Sequence, residues 1–231
     1  MHTHVGRYHI LHGVDLAVPA GTLTMLLGRN GAGKTTTLRT IMGLWRASAG
    51  RISFDGADIT GMPTPDIARL GIAYVPETMG IFTQLTVREN LLLATRTGRF
   101  DTTRLDAIFA LFPVLELKLH DAAGSLSGGQ KQMLAIGRAI VEQRRMLIVD
   151  EPTKGLAPAV IAHLIDGFRA LKATGTTVLL VEQNVQMAAA LGDGVAVMDD
   201  GRIIHTGTMS ALAADDALQS RLLGLSLAGH A

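Results

Sequence analysis

The sequence predicts an α/β fold, and three observations carry that expectation. Short continuous apolar runs recur at LTMLLG (23–28), MLIVD (146–150) and TTVLLVE (176–182), the pattern of parallel strands buried on both faces. Segments with apolar residues at helical spacing lie between them. A glycine-rich loop, GRNGAGKT (28–35), follows the first run directly and opens a helix.

Each element can be read in turn along the chain. The helix after the glycine loop is expected from about Lys34 to Leu44. RISFDGADI (51–59) reads as a hairpin, with Asp55-Gly56 suiting a turn that needs positive φ. IAYV (72–75) is a further strand. Residues 84–144 differ in texture and read mainly as a helical insert. There, Thr86 suits an N-cap with Glu89 at the third helical position. Leu105, Ile108, Phe109 and Phe112 keep helical spacing. Ser127 can cap the last helix of the insert, whose apolar positions are Met133, Leu134, Ile136, Ile140 and Val141. Val160, Ile161, Leu164, Ile165, Phe168 and Leu171 mark the helix after MLIVD. VAVMDDGRIIHTG (195–207) reads as a second hairpin, and 208–223 as a closing helix. His2 and His4 read as frayed terminal residues. With no linker and no internal repeat, one domain over 1–231 is expected, with the helical subdomain inserted at about 84–144.

Composition narrows the function classes. The 21 Lys and Arg nearly balance the 20 Asp and Glu, so no polyanion-binding surface and no nucleic-acid partner is expected. Aromatic residues make up 4%, too few for single-strand stacking platforms. No cysteine is present, which removes thiol, disulfide and thiolate–metal chemistry. His163 and His205 stand alone, without metal-ligand spacing. The start, MHTHVGRYHILHG, has no signal-peptide pattern, and no stretch approaches the roughly 20 apolar residues that span a bilayer. A cytoplasmic location is expected, with docking onto a membrane protein left open.

The chemistry concentrates in three short stretches. Gly28, Arg29, Asn30, Gly31, Ala32, Gly33, Lys34 and Thr35 form a complete phosphate-loop pattern. Its glycines let backbone N–H groups curl around an anion, and the helix behind adds its positive end. Lys34 can reach β- and γ-phosphates, the Thr35 hydroxyl can ligate Mg²⁺, and Thr36 lies near the phosphates. Asp150 ends a buried strand, where ligands collect in α/β sheets, and suits a contact to Mg²⁺. Glu151 follows and can take a proton from an attacking water. The third stretch, SLSGGQKQ (125–132), is a second glycine-rich helix start. One nucleotide needs one cradle, so two cradles mean two ligands or one ligand shared between two chains.

GRNGAGKT at 28–35, LSGGQ at 126–130, MLIVDE at 146–151 and PTKGLAP at 152–158 resemble, in order and spacing, the ATP-binding subunit of an ABC transporter. The resemblance covers essentially the whole chain. It implies a P-loop NTPase core of ABC ATPase type with an antiparallel β subdomain and a helical subdomain. In that family two such domains face head to tail, and Ser127, Gly128, Gly129 and Gln130 of one meet the ATP held by the other. YVPE at 74–77, GLAP at 155–158 and LLVEQN at 179–184 bring the chain nearer to the LivF-like branched-chain amino acid uptake group. Urea and short-chain amide importers share much of the same pattern. The implied function is ATP hydrolysis that powers import of branched-chain or other amino acids. The alternatives are a urea or amide importer subunit and a non-transport regulatory module. ATP and Mg²⁺ are the implied cofactors. Implied partners are membrane permease subunits, a second ATPase subunit that is either a paralogue or another copy of this chain, and indirectly an extracytoplasmic solute-binding protein. The implied place is peripheral, on the inner face of the cell membrane.

Three positions depart from the usual family pattern. Glu77 stands where a glutamine commonly touches Mg²⁺ and the attacking water. Glutamate can ligate the ion, but brings a charge and cannot donate a hydrogen bond while ionised. Gln183 stands where a histidine is usual. It can donate to a γ-phosphate oxygen but cannot titrate, which puts more weight on Glu151 as base. The adenine-stacking aromatic position falls near Val5, with Tyr8 close in sequence; the two expectations are an apolar contact in place of an aromatic face, or a start that lacks preceding residues, and GTP stands beside ATP as a nucleotide this position would admit.

Overall fold

The computed structural model describes residues 1–223; the last segment of the expected domain, 224–231, lies outside the described residues. Its central sheet has six strands in the order β11-β10-β3-β9-β8-β7. These are β3 (Leu23–Gly28), β7 (Ile72–Val75), β8 (Met146–Asp150), β9 (Thr177–Val181), β10 (Gly194–Asp199) and β11 (Arg202–Thr208). The first five named are mutually parallel, and β11 closes one edge antiparallel to β10. Strands β3, β8 and β9 are buried at every residue, as their unbroken apolar runs require. Parallel strands bring their carboxyl ends to one edge, which places Gly28, Asp150 and Glu182 together.

A second, antiparallel layer is built from the start of the chain. Strands β1 (His2–Val5), β2 (Tyr8–His12) and β4 (Ala47–Ala49) pair in the order β2-β1-β4. The expectation of frayed termini is wrong for His2 and His4, which both sit in β1. The β1–β2 register shifts between Thr3 and His4, and four histidines gather across the pair. The His4 and His9 rings stack at 4.2 Å, and His9 and His12 lie 4.2 Å apart. These histidines form no metal centre: among the described residues no group of three or more His, Asp or Glu side chains could hold a metal ion. Strands β5 (Ser53–Phe54) and β6 (Ala57–Asp58) form a hairpin whose turn, Asp55 at φ 50° and Gly56 at φ 80°, is left-handed as expected.

Ten helices are described: α1 (Lys34–Ile41), α2 (Thr64–Arg69), α3 (Val87–Leu93), α4 (Thr102–Leu111), α5 (Pro113–Leu117), α6 (Gly128–Ile140), α7 (Pro158–Ala173), α8 (Val185–Leu191), α9 (Met209–Ala213) and α10 (Asp216–Leu223). Helix α1 stops short of Leu44. Gly43 turns left-handed at φ 69°, and the Leu44 N–H donates back to the Arg39 carbonyl at 2.8 Å, a helix-ending motif. The expected closing helix is two helices, because Asp215 caps a fresh start by accepting from the Leu218 N–H at 2.8 Å. Helix α3 begins with the Thr86–Glu89 capping box read from sequence.

Two apolar clusters cover the sheet. The larger joins it to α6, α7 and α8 through Leu134, Ile136, Leu164, Phe168 and Met187. The smaller joins the other face to α1, α2 and β2 through Leu38, Ile67 and Leu11. Phe112, between α4 and α5, docks the helical segment onto α7. Its ring lies so close to Gly167 that an added Cβ there would be 2.9 Å from it.

Candidate active site

The phosphate loop is shaped by what glycine alone permits. Gly28 has φ 151°, and a Cβ there would meet the Met198 carbonyl oxygen at 2.2 Å. Gly33 has φ 104° where α1 begins. Lys34 is buried, and its ammonium donates to the Gly28 carbonyl at 2.8 Å and the Arg29 carbonyl at 3.0 Å. The same nitrogen lies 3.6 Å from Glu151 Oε1. Lys34 therefore sits between the loop and the acid that follows β8. Gly31 and Arg29 are exposed on the loop, Ala32 is buried beneath it, and the Thr36 carbonyl accepts from Thr40 Oγ1 inside α1.

Asp150 is fully buried and accepts from the Thr35 hydroxyl at 3.2 Å and from the Tyr74 hydroxyl at 3.3 Å. Burial raises its carboxyl above the ordinary value and the nearby Glu151 and Glu77 charges add to this, while both hydrogen bonds oppose it. No ion pair to Asp150 occurs among the described residues. A buried carboxylate held only by neutral hydroxyls, with two further acids acting on it, fits a hard cation that prefers oxygen donors. Thr35 Oγ1 and Asp150 Oδ1 are the adjacent oxygens that suit Mg²⁺.

A pH effect on stability follows. A carboxyl raised in the folded state keeps its proton longer than in the unfolded chain. Its relative stability is present below the ordinary carboxylate range and is lost as pH rises through the raised value. Asp150→Asn removes that loss. The melting-temperature gap between variant and wild type is expected to widen with pH from about 4, reaching a few degrees. Thermal unfolding from pH 4 to 8 measures it, and a gap constant with pH contradicts the account.

Glu151 takes left-handed φ, at 46°, costly for a residue with a side chain. Its N–H is held by the Val181 carbonyl at 3.0 Å. Its Oε1 accepts from the Gln183 amide at 2.8 Å, and the same amide nitrogen donates to Asn30 Oδ1 at 2.7 Å. Gln183 thus bridges the phosphate loop and the acid. Glu77 is exposed, and its Oε1 accepts from Lys154 at 2.6 Å.

Ser127 caps α6 in a full capping box. Its Oγ accepts from the Gln130 N–H at 3.3 Å, and Gln130 Oε1 accepts from the Ser127 N–H at 2.9 Å. Gly129 is buried, and a Cβ there would meet Val160 at 2.3 Å, whereas Gly128 is exposed with only Leu156 nearby. Among the described residues no hydrogen bond joins this second cradle to the phosphate loop. Val5 pairs with Tyr8 across the β1–β2 turn, and Tyr8 is exposed.

Three contributors were not assigned from sequence. Tyr74 holds Asp150. Glu182, buried, accepts from the Thr153 hydroxyl at 2.8 Å and from the backbone N–H groups of Thr153, Gln183 and Asn184. It ties the loop after Glu151 to the loop carrying Gln183. An acid at the end of an apolar strand was the available signal for it. Lys154 reaches two acids and had no signal in the sequence.

Known proteins resemble this chain in sequence and in fold. The family model described as "ABC transporter" matches residues 11–154. The chain is 39% identical to the high-affinity branched-chain amino acid transport ATP-binding protein BraG of Pseudomonas aeruginosa, covering 96% of each. It is 37% identical to a probable branched-chain amino acid transport ATP-binding protein, LivF, of Archaeoglobus fulgidus, covering 94% of this chain and 93% of that one. A crystal structure of the ADP conformation of an ABC transporter's ATP-binding cassette superposes with a TM-score of 0.81 at 28% identity, covering 97% of this chain and 96% of that one. With the phosphate loop, the Asp150–Glu151 strand end and the Ser127 helix start in place, this chain belongs to the ABC transporter family of ATP-binding proteins.

Proposed function

We propose that this chain is the ATP-hydrolysing subunit of a membrane importer for branched-chain or related amino acids. The observation that carries the reading is the Gln183 amide, which joins Asn30 of the phosphate loop to Glu151. It fixes the acid beside the loop that would hold the γ-phosphate. The nature of the cargo is supported by what the relatives from P. aeruginosa and A. fulgidus are named for.

In this reading the backbone N–H groups from Gly31 to Thr35 and the Lys34 ammonium bind the β- and γ-phosphates. Mg²⁺, held by Thr35 and Asp150 with Glu77 nearby, would neutralise charge on the transferring phosphoryl group. Glu151 orients water and accepts its proton, and Gln183 keeps the Glu151 carboxylate aimed at the loop. Gln183 does not titrate, so Glu151 carries the proton alone. In this reading Ser127, Gly128 and Gln130 serve the nucleotide of a second ATPase subunit; among the described residues no hydrogen bond joins their cradle to this chain's own phosphate loop.

A groove of about 680 Å³ suits the permease contact. Arg39, Trp45, Tyr74, Pro76 and Arg138 line it, and half-exposed Leu44 also borders it. Arg138, on the helix that Ser127 caps, donates to the Gly80 carbonyl and lies over the Phe82 ring at 5.0 Å. Tyr74 links the groove to Asp150. In this reading the groove wall is the part through which the permease would act on the loop after Glu77 and on the helix that carries the second cradle. Among the described residues no helix is long and apolar enough to cross a membrane. The transport ATP-binding proteins that this chain resembles support a peripheral place on the permease's inner face.

Uptake of labelled leucine, isoleucine and valine tests the reading in a strain lacking the gene. Uptake is expected to fall and to return with the wild-type gene. A Ser127→Arg gene should not restore it, although the purified variant still binds ATP. Unchanged branched-chain uptake with lost urea or amide uptake would transfer the assignment to that importer class.

A further inference from the structure

We propose that Lys154 is the principal counter-charge for Glu77, and that this pair lets the site carry a glutamate at a position beside its other acids. The inference rests on the reading of Glu151 and Glu77 as active-site acids.

Glu77 follows β7 and Lys154 follows β8, 77 positions apart in sequence. Lys154 Nζ lies 2.6 Å from Glu77 Oε1 and 3.7 Å from Glu151 Oε2. Lys34 Nζ lies 3.6 Å from the other oxygen of Glu151. Cation and acid therefore alternate along Lys34, Glu151, Lys154 and Glu77, with Asp150 beside them. Three acids face two cations, a formal charge near −1; without Lys154 it would be near −2. A nucleoside triphosphate adds several negative charges to the same place. Like charges at this spacing repel strongly wherever water is partly excluded. With a neutral glutamine at position 77 the imbalance would not arise, and Lys154 would have nothing to offset there.

The pair is solvent-accessible, with side chains 59% and 40% exposed for Lys154 and Glu77. Exposed ion pairs add little to fold stability, so the consequence belongs to ligand binding rather than to folding. Gly155, at φ 73°, and Gly80, at φ 62°, flank the two joined loops. The bond also brings the Glu77 loop, next to the proposed permease groove, against the loop that carries Glu151.

A double-mutant cycle on the full chain tests this, with ATP affinity measured by calorimetry in EDTA so that neither hydrolysis nor the metal contributes. Lys154→Met is expected to weaken binding about five-fold, and Glu77→Gln in the same chain to restore it to near the wild-type value. Lys154→Arg should bind like wild type, and melting temperatures should agree across the set. Lys154→Gln repeats the test should the methionine variant fail to fold. Wild-type affinity in both Lys154→Met and Lys154→Gln, or a double variant as weak as the single one, overturns the inference. The parent reading has its own readout. If Glu151→Gln releases phosphate at the wild-type rate, that reading fails. If Glu151→Gln is slow and Glu77→Gln fails to rescue Lys154→Met, only the role of Lys154 fails.

Discussion

Glu151→Gln is expected to lower Mg²⁺-dependent phosphate release by about 10²–10⁴-fold, the range for removal of a positioned proton acceptor. ATP binding should persist, because Lys34 and the loop N–H groups are untouched. The substitution exchanges one carboxylate oxygen for an amide and keeps the shape. The Gln183 amide can still donate to the remaining oxygen, so geometry survives while basicity is lost. The variant should also accumulate ATP at a seam between two subunits. Light scattering with Mg²⁺-ATP is then expected to give a two-chain mass, for this chain alone or mixed with its paralogue, that Ser127→Arg abolishes. Phosphate release within a few-fold of wild type would remove Glu151 from the proton-accepting role.

Phe112→Ala carries the largest expected cost to the fold. Phe112 is 2% exposed, and its ring fills the space that Gly167 leaves on α7. Truncating a buried phenylalanine costs about 3–5 kcal/mol, because lost apolar burial adds to the cavity left behind. In a chain of this size that lowers the melting temperature by roughly 6–20 °C. Thermal unfolding followed by circular dichroism measures it. A fall under about 2 °C would mean that α4 and α5 are docked by other contacts.

Much of the fold was legible because its strands are buried on both faces. LTMLLG, MLIVD and TVLLV need no partner to be recognised, and the glycine loop beside the first marks the edge where ligands gather. Strands β1 and β2 were not legible. They are four and five residues long, rich in histidine and half exposed, so no alternation stands out. The break at Ala214–Asp215 was hidden because apolar spacing continues across it. In the site, local chemistry could be read from adjacent residues: the phosphate loop, Asp150 with Glu151, and the Ser127 cap. What could not be read depends on distant pairing. Nothing in the sequence says that Lys154 meets Glu77, that Tyr74 holds Asp150, or that Glu182 gathers four donors. Chain folding creates those meetings, and no periodicity records them.

The two neighbouring glycines of the second cradle answer to different masters. Gly129 has no room for a methyl group because Val160 lies against it, whereas Gly128 looks outward with space around it. In genetic terms their losses should differ in dominance. A side chain at 129 spoils the subunit's own packing, so the defective product is absent and a second good copy covers for it. A bulky side chain at 128 leaves a folded subunit that still takes its seat in the complex. There it would poison the partner's nucleotide, and a good copy in the same cell would not hide it.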